Sequence, residues 1–282
     1  MSVDATKETI SPTVRNVDWE HPTPPTDLIF DDGEPLESNR HRIAMNVLIE
    51  SLEQAWSDRN DFFTGGNMFV YYSSAQVKNR DFRGPDFFVV LDVDGTISRQ
   101  GWVVWEEDGR YPDVIVELMS PSTAEVDITT KKDIYERTFK TSDYFVFDPF
   151  DPGSLRGWHL SGSPLRYQQL VPNEQGWLWC ETLGFWLGTW EGTIHREPAV
   201  WLRFYDSSGN LVLLPKEAAE IKLQEERERA EQERERAEQE RERAEQERER
   251  AEQERERAER ERERSDRLAA KLRELGIEPD IE

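Results

Sequence analysis

Cysteine is almost missing from these 282 residues: Cys180 stands alone, and there are only 4 histidines. One thiol cannot close an intramolecular disulfide, and no Cys/His spacing suits zinc, so any metal must be held by oxygen ligands. Long apolar runs are absent as well. No stretch approaches the roughly eighteen apolar residues needed to span a bilayer, and Met1 to Ile10 lacks a basic start and an apolar segment. No membrane partner is expected, and the expected location is cytoplasmic. Positive charge is scarce, with 36 Lys and Arg against 59 Asp and Glu, a net charge of -23. Phosphate-binding surfaces are usually basic. The balance therefore weighs against a tight, non-specific nucleic-acid binder and confines any such contact to a local patch, for example Lys78-Asn79-Arg80 with Arg83, assisted by metal.

Aromatic residues are missing from the last quarter, since all 10 Trp, 13 Phe and 7 Tyr lie at or before Tyr205. What precedes is long enough and rich enough in large side chains for one domain with a sizeable core. Residues 1–30, rich in Pro, Thr and Asp, read as an irregular arm, and 31–215 as the globular head. Within the head, Ile43, Val47, Leu48, Leu52, Ala55 and Trp56 recur at helical spacing, predicting an amphipathic helix from Asn39 to Asp58. Met68–Tyr72, Asp86–Asp92 and Val114–Met119 read as strands. Between the last two, Asp94-Gly95 and Asp108-Gly109 flank Trp102–Trp105 and predict a hairpin excursion. A second helix is expected over Thr129–Lys140 with Asp127 as its N-cap. Tyr144–Phe147 then forms another strand, and short runs from Trp158 to Leu213 suggest an antiparallel extension. The order predicts an α/β or α+β fold with a mixed central sheet.

Two strands carry carboxylates that an ordinary core would reject. Val114 to Met119 has the continuous apolar pattern of a strand covered on both faces, and Glu117 sits inside it. Burying that charge unpaired would cost several kcal/mol. Asp86 opens the other strand and lies beside Glu117 if the two strands pair, because neighbouring strands are about 4.8 Å apart. Two carboxylates so placed fit Mg²⁺, which takes one or two protein carboxylates plus water and phosphate oxygens. Asp113 shares the face of Glu117 but stands roughly 13 Å away along the strand, so it reads as structural. Lys131 aligns with Ile134 and Tyr135 and so faces inward, whereas Lys132 aligns with Glu136 and points outward. The ammonium of Lys131 could orient water or stabilise charge on phosphate; the alternative is that it simply pairs with Glu117 and holds helix to sheet. His159 and His195 have no partner that spacing reveals, and the tryptophans from Trp177 to Trp201 read as core.

The combined pattern is Gly84-Pro85-Asp86, Pro112-Asp113-x-x-x-Glu117-Leu118-x-Ser120-Pro121-Ser122-Thr123, Asp127-x-x-x-Lys131-x-x-x-Tyr135 and Tyr144-Phe145-x-x-Asp148-Pro149. It resembles the Uma-two family of restriction endonucleases within the PD-(D/E)XK nuclease superfamily, across residues 25–215. The resemblance implies a restriction-endonuclease-like α/β core and hydrolysis of phosphodiester bonds in nucleic acid, DNA foremost, dependent on Mg²⁺ or Mn²⁺. It implies Asp86 and Glu117 as metal ligands, the Leu118 carbonyl as a further ligand and Lys131 as the superfamily lysine. Met119 stands where that lysine usually lies, two residues after Glu117, so the lysine has moved to the helix. By the same analogy Glu37 could add a carboxylate. His41 occupies a position where the family often has histidine, although a hydrogen-bonded core histidine fits that place equally well.

From Glu226 the chain repeats Glu-Arg-Glu-Arg-Ala-Glu-Gln with alanine every seven residues from Ala230 to Ala258. The period is that of a coiled coil, yet neither register buries an apolar seam. Residues 216–264 therefore read as a solvated, semi-rigid helical spacer. In 265–282, Leu268, Leu272 and Leu275 share a face that could pair with itself or with a protein partner. A second reading follows: a catalytically weak nuclease-like scaffold that binds a partner through this tail.

Overall fold

The computed structural model describes residues 28, 30, 38–73 and 83–274. Two units meet at Leu214 and Pro215. In the first, helix α1 spans Asn39–Ala55, and Ser38 caps it in an extended conformation with its side chain accepting from the His41 amide. Its stripe of Ile43, Val47, Leu48 and Leu52 is buried as the spacing predicts. The helix ends before Asp58, however, because Trp56 leaves the helical region and turns its ring edge toward Phe62.

Six strands make the central sheet, in the order β1 (Phe62–Gly65), β3 (Phe87–Leu91), β5 (Val114–Leu118), β6 (Asp143–Asp148), β7 (Asp151–Ser161) and β8 (Arg166–Gln169). Only the β5–β6 pairing is parallel, so the sheet is mixed. Strand β1 is too short to announce itself by alternation. It lies at the sheet edge, and Gly65 is glycine because a Cβ there would overlap the ring of Phe88. A second, antiparallel sheet holds β9 (Leu178–Cys180), β10 (Phe185–Ile194) and β11 (Glu197–Tyr205).

The expected hairpin does not form. Strand β4, reduced to Trp102–Val103, pairs in parallel with β2, Val70–Tyr71, some thirty residues upstream. The turn dipeptides at Asp94-Gly95 and Asp108-Gly109 reverse the chain between β3 and β5, which pair antiparallel with each other, while the segment between them reaches back to β2. Likewise the strand expected over Met68–Tyr72 contracts to the two residues of β2.

Both faces of the central sheet are covered, which is why β5 reads as uninterrupted apolar sequence. Val114, Val116 and Leu118 face α1 and the second sheet, joining Leu48, Leu202 and Phe204. Ile115 and Met119 face the other way, with Trp102, Tyr135 and Phe139. Truncating a fully buried residue such as Leu48 to alanine costs about 2–5 kcal/mol at such a site. Tyr135 and Phe139 belong to helix α2 over 124–139, which alternates short α segments with two π turns, Asp127–Lys131 and Tyr135–Phe139, and ends at Lys140 in the left-handed region. The helix thus starts earlier than sequence spacing predicts. Asp127 lies inside it with helical backbone and is not its N-cap.

The second unit is helix α3, Pro215–Glu274, with proline in its first turn, where a missing N–H is harmless. None of its residues is buried. Exposed pairs one turn apart, such as Glu256–Arg260 at 2.8 Å and Glu263–Arg267 at 3.5 Å, support it locally. Leu268 is exposed, whereas Leu275 lies outside the described residues. No described helix is long and apolar enough to cross a membrane.

Candidate active site

Alternation along β5 puts Glu117 on the α2 face, between Ile115 and Met119, where it is fully buried. The antiparallel register pairs Phe87 with Val116, so the next step places Asp86 opposite Glu117, as expected if the two strands pair. Asp86 is further fixed by the Leu118 amide, which donates to its carboxylate at 2.8 Å.

Spacing along α2 sets how it meets this pair. Residues four apart share one face of a helix, and π turns often mark functional sites. Asp127, Lys131 and Tyr135 form such a row. The Lys131 Nζ lies 3.0 Å from Glu117 Oε2 and 2.8 Å from Asp127 Oδ1. The Tyr135 hydroxyl donates to Glu117 Oε1 at 2.7 Å. Both oxygens of Glu117 therefore have donors, which offsets the desolvation of its charge.

Electrostatics act strongly on Asp86 and on the helix residues beside it. Burial, followed by the adjacent Glu117, pushes the Asp86 carboxyl well above the usual range, against the weaker pull of Lys131 and the Leu118 amide. Asp127 is also raised, by burial and then by Glu117. Burial alone would lower Lys131, but Glu117 and Asp127 together hold its ammonium above the ordinary lysine range. Tyr135 is raised by burial and by Glu117, so it stays a neutral donor.

His41 is buried, with Nδ1 2.8 Å from Ser38 Oγ and Nε2 3.2 Å from the Met119 carbonyl, just past Glu117 on the chain. It touches the end of β5 from the α1 side rather than the carboxylate face. Glu37 and the Lys78-Asn79-Arg80 patch lie outside the described residues. Asp113 accepts from the Leu91 amide at 2.8 Å and is structural, as its spacing predicts. Lys132 does not simply point outward: its ammonium lies 5.0 Å from the Trp158 ring centre. Trp201 is buried, whereas Trp177, Trp179, Trp186 and Trp190 are half-buried on the second sheet.

Sequence reasoning missed two features here. Tyr135 has a site contact, and its only signal was the four-residue spacing from Lys131. His159 has a partner, Asp143 Oδ1 at 2.8 Å, and the same buried carboxylate accepts from the Thr182 amide at 3.0 Å, tying β6, β7 and the second sheet together.

The donor set can be tested against a metal. Asp86 and Glu117 offer oxygen only, and a carboxyl pushed up by a neighbouring carboxylate is one that a hard cation would relieve, so the pair fits Mg²⁺ or Mn²⁺. Among the described residues, no group of three or more His, Cys, Asp or Glu side chains is arranged to hold an ion by itself, so water and phosphate oxygens would have to complete such a shell.

The fold is thus that of an α/β protein in which a central strand pair carries facing carboxylates and a covering helix presents a lysine to them. The chain itself belongs to the Uma2 family, described as "Putative restriction endonuclease", whose profile matches residues 17–191. Among solved structures it is similar to that of a "putative nuclease belonging to DUF820" from Anabaena variabilis ATCC 29413 at 1.96 Å resolution. Sequence identity to it is 11%, the TM-score is 0.38, and the alignment covers 53% of this chain and 76% of that chain. No curated protein matches.

Proposed function

We propose that the head is a cytoplasmic endonuclease that hydrolyses phosphodiester bonds of DNA with Mg²⁺ or Mn²⁺, and that α3 is a helical spacer whose end can engage a protein partner or a second copy. The observation that carries this reading is the meeting of Asp86, Glu117 and Lys131 on one face of the β3–β5 pair. Asp86 and Glu117 would hold the ion, with the Leu118 carbonyl as a further ligand. When bound, the ion supplies charge neutralisation at a phosphate oxygen and a more acidic water. Lys131, 20% exposed at its side chain, reaches from the buried pair toward solvent. It can thus present a fixed positive charge to a phosphate, which costs no reorganisation as negative charge develops. Tyr135 holds Glu117 in one orientation. His41, with both ring nitrogens engaged, braces the end of β5.

The acidic composition fits this division of labour. With a net charge of -23, affinity for a polyanion has to come from the site and its cation rather than from a basic surface. The test is cleavage by the purified protein of a panel of DNA and RNA substrates with Mg²⁺ or Mn²⁺, against an Asp86→Ala control. Metal-dependent cleavage of DNA that the control lacks is the expected result. Cleavage that survives in the control would place the chemistry elsewhere.

One observation favours a second reading, the catalytically weak scaffold. The Lys131 ammonium lies within ion-pair distance of both Glu117 and Asp127, so it could serve to hold helix to sheet. Under that reading the panel shows no cleavage, and the chain acts through its tail.

A further inference from the structure

The endonuclease reading uses Glu117 and Lys131 but gives Asp127 nothing to do. Its side chain is 1% exposed, and it does not cap the helix, since its backbone is helical on both sides. A carboxylate at that depth persists only when paired, and its partner is the Lys131 ammonium at 2.8 Å. Of the two acids that Lys131 touches, Asp127 is the one that lies outside the β3–β5 pair. It stands one turn before Lys131 on the same helix, its amide donates to the Thr123 carbonyl at 2.9 Å, and its own carbonyl accepts from the buried Tyr144 hydroxyl at 2.8 Å.

The two carboxylates are not equivalent for catalysis. If Glu117 shared an oxygen with a metal ion, its 3.0 Å contact with the lysine would weaken at the moment the ammonium must stay in place. A long, flexible side chain loosened in this way would sample many rotamers and spend little time in any one of them. We propose that Asp127 is a positioning residue that tethers the Lys131 ammonium within the site after Glu117 has been taken up by the metal. The inference rests on the endonuclease reading. It assigns a function to the Asp127-x-x-x-Lys131 spacing, which places the two side chains one turn apart on the same face of the helix.

The experiment uses the full chain with Asp127→Asn, which keeps an acceptor oxygen but loses the charge, and Asp127→Glu, which keeps the charge. Each is made alone and together with Lys131→Met. With Mg²⁺ and a DNA substrate, Asp127→Asn is expected to lower kcat on the order of 10-fold to 100-fold, the scale of a misplaced catalytic group, with KM little changed. Asp127→Glu should retain more activity than Asp127→Asn. In the presence of Lys131→Met, Asp127→Asn should cost nothing further. A second readout needs no cleavage: reductive methylation in saturating Mg²⁺, mapped by mass spectrometry. Lys131 should become several-fold more reactive in Asp127→Asn than in the native chain, while Lys132 stays the same. Equal loss with and without Lys131→Met, or equal loss from Asn and Glu, would overturn the tether, as would failure of both variants to fold. If the native chain cuts nothing, the endonuclease reading fails, and unchanged Lys131 methylation in Asp127→Asn decides separately against the tether.

Discussion

The Tyr144 hydroxyl donates to the Asp127 carbonyl at 2.8 Å, tying the parallel strand β6 to the first π turn of α2. Both groups are buried, so the bond fixes where the row of site residues begins. Tyr144→Phe would leave that carbonyl without this donor and should cost about 1–3 kcal/mol, measured by urea unfolding with an unchanged m value. A loss below about 0.5 kcal/mol would show that the π turn does not depend on it.

Lys131 and Lys132 are adjacent and differ in what they face. Lys131→Met, which keeps most of the stem, should lower cleavage by a factor on the order of 10² or more. Lys132→Met should leave cleavage nearly intact and instead cost about 0.5–1 kcal/mol of stability, since its ammonium lies over the Trp158 ring. Equal effects of the two on cleavage would remove the helical lysine from the chemistry.

Asp86 sets a pH dependence. Its carboxyl is raised in the folded protein above the ordinary 3.8, so its protonated form favours folding. That contribution is complete below 3.8 and is lost as pH rises through the folded value. Asp86→Asn carries no such charge. In chelator, its stability relative to the native chain should therefore rise as pH increases from about 4 and level off once Asp86 is ionised. Denaturant unfolding across pH measures this, and a pH-independent difference would mean that Asp86 is not strained by its neighbour.

Metal binding should reverse that penalty. Mg²⁺ or Mn²⁺ at a hundredfold excess over its dissociation constant would stabilise the native chain by about 2.7 kcal/mol, seen as a rise in Tm. Glu117→Ala should show little of this rise. Equal shifts in both proteins would locate the ion away from the β3–β5 pair.

Much of this site was legible in sequence because its signals are local or additive. Glu117 interrupts a run of apolar residues that only a doubly covered strand would have, and Asp86 opens the run that pairs with it. Helix α1 declared itself by the consistent spacing of its apolar stripe from Ile43 to Leu52. What was not legible depended on long-range pairing or on subtle helix geometry. Strand β4 finds its partner in β2, and turn dipeptides beside it suggested a hairpin instead. Asp127 resembles a cap in sequence, and nothing in residue identity marks a π turn that carries the helix past it. The His159–Asp143 pair depends on the register of β7 against β6, which shifts between Val146 and Asp148.

The 60 residues of α3 contain no aromatic side chain and bury none of their own. Near-ultraviolet circular dichroism and tryptophan fluorescence consequently watch the rest of the chain, whereas much of the far-ultraviolet helical signal comes from α3. A solvated helix held by weak local pairs frays gradually on heating, while a packed core melts in one step. The two spectral windows should then give melting curves of different shape from the same sample. Disagreement between them would not signal a folding intermediate; it would reflect two materials joined in one chain.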